Sequence, residues 1–314
     1  KGQDVGVGPE GQLVVFRFIG HGPDLGELTQ FDRDGNPLPF KGVATNKISR
    51  LPSLGFGHND TGSKGFSMSP NGDVVTIGTV DGALGVYVFG TDGNRKGQAG
   101  IRGLGGADAS PCMDCQGNLY VASTAKRPDE LMPKVFDLAK PPSPQYPAMY
   151  GSVLKFPPEG GTVYTKPARP QAGEWPPAGS DKMLRLVSGT QKTEKFAEGA
   201  QWSGGGFTVV PHNLCHCYTS RFGLDAYGRV FIPDVGLFSV LVVDSAGNPV
   251  MRFGDYGNAD SAGKGSAIPT PEIPMSWPAA VSVGKSGIYV SDFINRRVLR
   301  VDLSHVAEEA VPVP

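Results

Sequence analysis

Four cysteines and five histidines hold most of the metal-binding and redox capacity of this 314-residue chain. The cysteines fall in two close pairs, Cys112/Cys115 and Cys215/Cys217. A paired, even set permits disulfides, which suit an oxidising compartment. The same C-x-x-C and C-x-C spacings permit tetrahedral zinc, with His212 or His216 as further donors. Reduced thiols are the third reading. C-x-C is tighter than the usual zinc knuckle, so two disulfides are the plainest of the three. Covalent c-type haem is not supported, because Gln116 follows Cys115 and Cys215-His216-Cys217 has the wrong order.

A second set of donors is scattered: His58 and Asp60 in HNDTG, Asp108 at the end of LGGAD, and His212 and His216 in PHNLCH. Imidazole and carboxylate on zinc would make a Lewis acid or a water activator. The Asp-rich turns DRDGN (32–36) and Asp225-x-x-Gly228 offer oxygen donors to calcium but lack EF-hand spacing. Asp and Asn are also good turn residues, which is the simpler account. There is no G-x-S-x-G and no P-loop. GLGGAD (103–108) opens onto a strand rather than a helix, so it is no dinucleotide fingerprint.

Such dispersed residues meet only if the fold gathers them, and the chain repeats one unit. The copies are VGVGPEGQLVVFRF (5–18), FSMSPNGDVVTIGT (66–79), PCMDCQGNLYVAS (111–123), FGLDAYGRVFIPD (222–234) and VSVGKSGIYVSD (281–292). Their turn glycines, Gly11, Gly72, Gly117, Gly228 and Gly287, are 61, 45, 111 and 59 residues apart. The doubled interval predicts a sixth, degenerate copy near 165–215. Second hairpins follow at QFDRDGNPL (30–38), VFGTDGNRK (88–96), KFPPEGGTV (155–163) and VVDSAGNPV (242–250). Gly, often followed by Asn, marks tight turns that need positive φ. Two consecutive hairpins make a four-stranded antiparallel meander, the blade of a β-propeller. One such sheet is apolar on both faces and is stable only when stacked on others.

The segment AAVSVGKSGIYVSDFINRRVLRVDL (279–303) resembles an NHL repeat through Tyr289, Val290, Asp292, Asn295, Arg297 and Val298. The unit at 222–250 resembles it through Asp225, Gly228 and Asp234, and the unit at 111–123 through Asp114, Gly117, Tyr120 and Val121. The resemblance implies an all-β, six-bladed NHL-like propeller with one degenerate blade. Five blades plus an insertion is the alternative. Loops entering inner strands would bring His58, Asp60, Asp108, His212 and His216 to one mouth of the channel. Some NHL enzymes, the amidating lyases among them, hold a catalytic zinc with histidines there. NHL propellers also include binding modules and scaffolds, so the family narrows function little.

A single propeller domain is expected over 1–305, with irregular insertions at 124–150 and 166–215 and a tail or linker at 306–314. The insertions carry Tyr146, Tyr150, Trp175 and Trp202, which are candidate interface anchors. Charge nearly cancels, 29 basic residues against 30 acidic, which argues against nucleic-acid binding driven by bulk electrostatics. No apolar run approaches the roughly 18 residues of a membrane-spanning helix. Lys1 in the first position and the linker-like VAEEAVPVP fit a processed domain or subunit of a larger assembly. The expected role is binding or scaffolding toward a protein or glycan partner in a secreted, periplasmic or cell-surface setting. The alternative is a metal-dependent lyase or hydrolase at the channel mouth. No cofactor is implied with certainty, and zinc and calcium are the metals the donors allow.

Overall fold

The computed structural model describes residues 2–18, 26–51, 65–80, 83–97, 100–105, 108–130, 150–166, 175–188, 193–208, 220–258, 261, 270–284 and 286–303. Within them the repeating turn has a chemical cause. At Asp32, Asp114, Asp225 and Asp244 one carboxylate oxygen accepts the backbone N–H groups two and four residues ahead, at 2.8–2.9 Å. A glycine at the fourth position takes positive φ, +85° at Gly35 and +86° at Gly117. The residue after it bonds back to the same aspartate: Asn36 at 3.1 Å, Asn118 at 2.8 Å, Asn248 at 2.9 Å and Arg229 at 2.6 Å. Those hydrogen bonds, from the Asn side chain first and the backbone second, hold Asp32 and Asp244 below the ordinary carboxylate range. Asp32 and Asp225, which offered oxygens to calcium, are thus engaged by the turn itself.

The turns fold the described chain into meanders. The first sheet is β1 (Gly2–Val7), β2 (Leu13–Phe18), β3 (Gly26–Phe31) and β4 (Lys47–Leu51). The second is β5 (Phe66–Met68), β6 (Val74–Val80), β7 (Ala83–Phe89) and β8 (Ile101–Arg102). The third starts with β9 (Ala109–Met113) and β10 (Leu119–Ser123), leaves through the short β11 (Ala125–Lys126), and resumes with β12 (Tyr150–Phe156). An excursion follows: β13 (Gly161–Thr165), β14 (Leu184–Ser188) and β15 (Thr193–Glu198), before β16 (Trp202–Thr208) completes the third sheet. The fourth is β17 (Gly223–Leu224), β18 (Val230–Asp234), β19 (Ser239–Val243) and β20 (Pro249–Phe253). A parallel pair, β21 (Asp255–Tyr256) and β22 (Pro274–Met275), leads to the three-stranded fifth sheet, β23 (Pro278–Gly284), β24 (Gly287–Asp292) and β25 (Arg297–Val301). The protein is all-β, with consecutive antiparallel meanders in a propeller-like arrangement.

Alternate side chains on each strand leave by opposite faces. Val74, Tyr87 and Phe89 of the second sheet pack with Val14, Phe16 and Leu28 of the first. Val75, Ile77 and Val86 pack with Leu119, Val121, Leu154 and Phe156 of the third. Tyr120 and Ala122, on the other face of β10, meet Val230 and Ile232 of the fourth. Phe231 then turns toward Val281, Ile288 and Val290 of the fifth. Four apolar layers thus join successive sheets, and among the described residues none joins the fifth to the first.

Two expectations change. The described part of 161–208 is not a sixth meander. β13, β15, β14 and β11 extend the second sheet from β8, to which β13 pairs in parallel. Accordingly 155–163 is no hairpin: β12 stays in the third sheet while β13 crosses to the second. Glycines allow that crossing. Gly161 donates its N–H to the Gly100 carbonyl at 2.8 Å, and a Cβ on Gly160 would lie 1.5 Å from the same oxygen. Asp234 and Asp292 are buried carboxylates at the ends of β18 and β24. Asp234 binds Arg252 and the Leu237 N–H inside the fourth sheet and accepts from the Tyr150 hydroxyl of the third. Asp292 accepts from the Ser276 and Trp277 amides and so fixes the entry to the fifth.

The run Gly204-Gly205-Gly206 in β16 serves close approach as well. The Glu130 carboxyl lies where a Gly205 Cβ would be, 1.0 Å from its Oε1, and Asp234 Oδ2 lies 3.0 Å from the Gly206 Cβ position. Burial, as the largest cause, pushes the Glu130 carboxyl up to about 7, and Asp129 adds to the rise. Lys126, Arg127 and the Arg127 backbone oppose it.

Two outcomes follow from this packing. Gly35 and Gly160 both have positive φ, but only Gly160 has a neighbour. Gly35→Ala should therefore cost about 1 kcal/mol for its backbone conformation alone, and Gly160→Ala several times that, measured by urea unfolding. Equal costs would contradict the close contact. For Glu130, the folded state keeps its proton to higher pH than the unfolded chain. Stability should fall as pH rises from about 4.5 to about 7, by up to roughly 3 kcal/mol. Glu130→Gln should flatten that slope in pH-dependent denaturation, and a slope unchanged by the substitution would assign it elsewhere.

Candidate functional site

The first strands of all five meanders line one cavity of about 600 Å³. Asp4 to Val7, Phe66 to Met68, Ser110 to Asp114, Arg221 to Ala226 and Ala280 to Val283 contribute to its wall. Arg221 is its hub. Nη2 of Arg221 sits 3.4 Å from Asp4 Oδ2, both side chains about one-fifth exposed, at 23% and 21%. The Arg221 backbone is fixed by its N–H to the Ala279 carbonyl at 3.0 Å and by Val281 N–H to its own carbonyl at 2.8 Å. The preceding carbonyl, of Ser220, accepts from the Ser110 hydroxyl at 2.8 Å. Gly65, at φ +97°, leaves room for the guanidinium: a Cβ there would meet Arg221 Nε at 3.0 Å. One residue thereby touches structure from the first, second and fifth sheets.

Cys112 lines the same cavity, and Cys115 is exposed in the turn beyond it. Both are free thiols, so neither takes part in one of the expected disulfides. Burial pushes the Cys112 thiol up to about 12, with Asp4 adding to it, while the Ser67 hydroxyl and the Arg221 charge pull the other way. The thiol is therefore protonated at neutral pH and is a poor nucleophile as it stands. Ser67 lines the cavity beside this thiol.

His58, Asp60, His212, His216, Cys215, Cys217 and Tyr146 lie outside the described residues. Asp108 is described and is 1% exposed at the entrance to β9. One of its oxygens accepts the Gly105 N–H at 2.6 Å, and the other, Oδ1, has no partner. Among the described residues no three metal-ligating side chains gather. The remaining aromatics are packing elements rather than surface anchors. Trp202 is buried edge-on to Tyr120 at 6.1 Å, with its indole N–H on the Ser245 carbonyl at 3.1 Å. Tyr150 is 5% exposed. Trp175 is half-buried against Phe196 at 5.6 Å and donates to Glu194 at 3.0 Å. Each buries a ring that would be costly to leave in water.

A second cavity, about 300 Å³, lies between the outer strands of the third and fourth sheets. Arg127, Glu130, Tyr150, Ser203, Gly205 and Arg252 are among its lining. Burial raises Tyr150, and the charges of Asp234 and Glu130 raise it further. Burial likewise raises Asp234, against the opposing Arg252 charge 2.8 Å away. Sequence reading missed Glu130 and Ser203. The available signal was the glycine triplet, since Gly inside a strand often marks a close neighbour.

No family profile matches the sequence, and no curated protein does. Among solved structures, the chain is similar to the PQQ-bound aldose sugar dehydrogenase of Streptomyces coelicolor, at 14% identity and TM-score 0.43, covering 96% of this chain and 77% of that one. It is similar to a chain of a nidogen/laminin complex at 12% identity and TM-score 0.45, covering 95% and 74%. It is also similar to virginiamycin B lyase of Staphylococcus aureus at 10% identity and TM-score 0.36, covering 96% and 84%. All three scores fall below 0.5, and the fold described above rests on this chain's own strand pairing.

Proposed function

We propose that the chain is an NHL-type β-propeller of five blades, with 161–198 an insertion on the second, and that it serves as a binding module. Its partner is a polypeptide segment with apolar side chains, received in the central cavity. One observation carries this reading. Val5 and Val7 on the first sheet are each 62% exposed and Val298 on the fifth is 66% exposed, and all three line the same cavity. Isolated exposed valines are ordinary, whereas exposed apolar groups facing one polar-floored cleft are a feature of binding sites. Arg221 and Asp4 supply the fixed polar groups that would orient a backbone. Selection of peptides from a random library on the intact protein should return apolar sequences. Their binding should be lost in the double variant Val7→Asp, Val298→Asp, with the unfolding midpoint retained. No enriched peptide, or peptides that bind the double variant equally well, would remove this reading.

A metal-dependent lyase or hydrolase is the second reading, and Asp108 is what favours it. A buried carboxylate oxygen without a partner is expensive, and a cation would satisfy it. His58, Asp60, His212 and His216 would then be the companion ligands, and the metal a Lewis acid or water activator. Elemental analysis of the purified protein should find about one zinc per chain, lost in Asp108→Asn. Metal-free protein that fails to bind added zinc in calorimetry would dismiss it.

A further inference from the structure

We propose that the cavity between the third and fourth sheets is a saccharide-binding subsite, separate from the central cavity. Glu130 Oε2 and Ser203 Oγ are buried, lack any hydrogen-bond partner, and belong to residues that line this one space. A buried polar atom without a partner is costly, and here two belong to the lining of one cavity. The other polar groups are already paired. Arg127 is held by Asp129 across two hydrogen bonds, and Arg252 Nη1 donates to Asp234 at 2.8 Å and Ser239 at 2.7 Å.

That balance selects the ligand class. An anion would meet the Asp129 and Glu130 carboxyls. A metal ion would meet the Arg127 and Arg252 guanidiniums beside the same oxygens. A neutral ligand avoids both penalties. Ser203 can donate or accept, and a carboxyl accepts at either oxygen, so hydroxyl groups fit both free positions. Leu241, Val243 and Pro249 also line the cavity, next to the side-chain-free backbone of Gly204 and Gly205. This is an apolar surface for the C–H face of a pyranose ring. A volume of about 300 Å³ is at the low end of ligand pockets, in the range for a single sugar unit. Arg127 and Asp129 are exposed at the rim, which leaves the site open to a chain end.

A glycan array probed with the intact protein, followed by calorimetry with the best-bound neutral saccharide, tests this. Ser203→Ala should weaken binding about tenfold, the effect of one neutral hydrogen bond, with an unchanged unfolding midpoint. Glu130→Gln keeps the shape and one acceptor and should weaken it less than Glu130→Ala. The central-cavity variant Val7→Asp, Val298→Asp should bind the saccharide normally, so failure of the peptide reading leaves this result standing. An array with no neutral glycan bound, or affinity unaffected by both Ser203→Ala and Glu130→Ala, would mean the cavity holds water only and would overturn the assignment. Binding lost only in the central-cavity variant would overturn it equally.

Discussion

The structure depends on burying both faces of each inner sheet. A strand such as β10 sends Leu119 and Val121 one way and Tyr120 and Ala122 the other, and each pair finds a different neighbouring sheet. β6 and β18 divide in the same way, with Val74 against Val75 and Phe231 against Ile232. A sheet with two apolar faces needs two neighbours, so the meanders must follow one another around a shared centre. The first and fifth sheets stand apart: each has one apolar layer to a successive sheet, and each carries exposed valine into the central cavity. The cavity is thus a consequence of the stacking order, bounded by strands whose outward neighbours hold them in place.

Much of this order was legible in the sequence because two local rules operate together. Alternating apolar residues set the faces, and the D-x-x-G motif with a side chain that bonds back sets the turns. Asp114 with Asn118 and Asp225 with Arg229 show the same device with different final residues. The fate of 161–198 was not legible. Its strands have ordinary β character, and their place was decided by a long-range contact between Gly160, Gly161 and Gly100. A turn glycine and a close-approach glycine look alike in one sequence. The EGG of 159–161 therefore read as a hairpin, although its second function is to let β13 reach β8.

The candidate sites divide along the same line. The cysteines were noticeable by type, but type alone did not fix their state. Cys112 follows the wall of the cavity and Cys115 the solvent-facing turn, because the chain passes from strand to turn between them. Arg221 drew no attention as an isolated basic residue. Its importance comes from position: Gly65, Asp4 and Ala279 converge on it from other sheets, and Ser110 holds the Ser220 carbonyl before it. Trp175 and Trp202 were conspicuous for size, and size is also why they pack inward, with each indole N–H finding an acceptor.

Among the described residues, buried side-chain oxygens of Asp108, Glu130 and Ser203 have no partner. Their distribution is itself an argument. Glu130 and Ser203 share the lateral cavity, and Asp108 stands at the entrance to an inner strand. Elsewhere comparable groups are satisfied, as Asp292 is by four donors and Asp114 by the turn and the Tyr120 hydroxyl. A fold that pairs its structural carboxylates this thoroughly leaves its unpaired atoms beside a cavity and at a strand entrance. At such places water, an ion or a ligand would complete the hydrogen bonding.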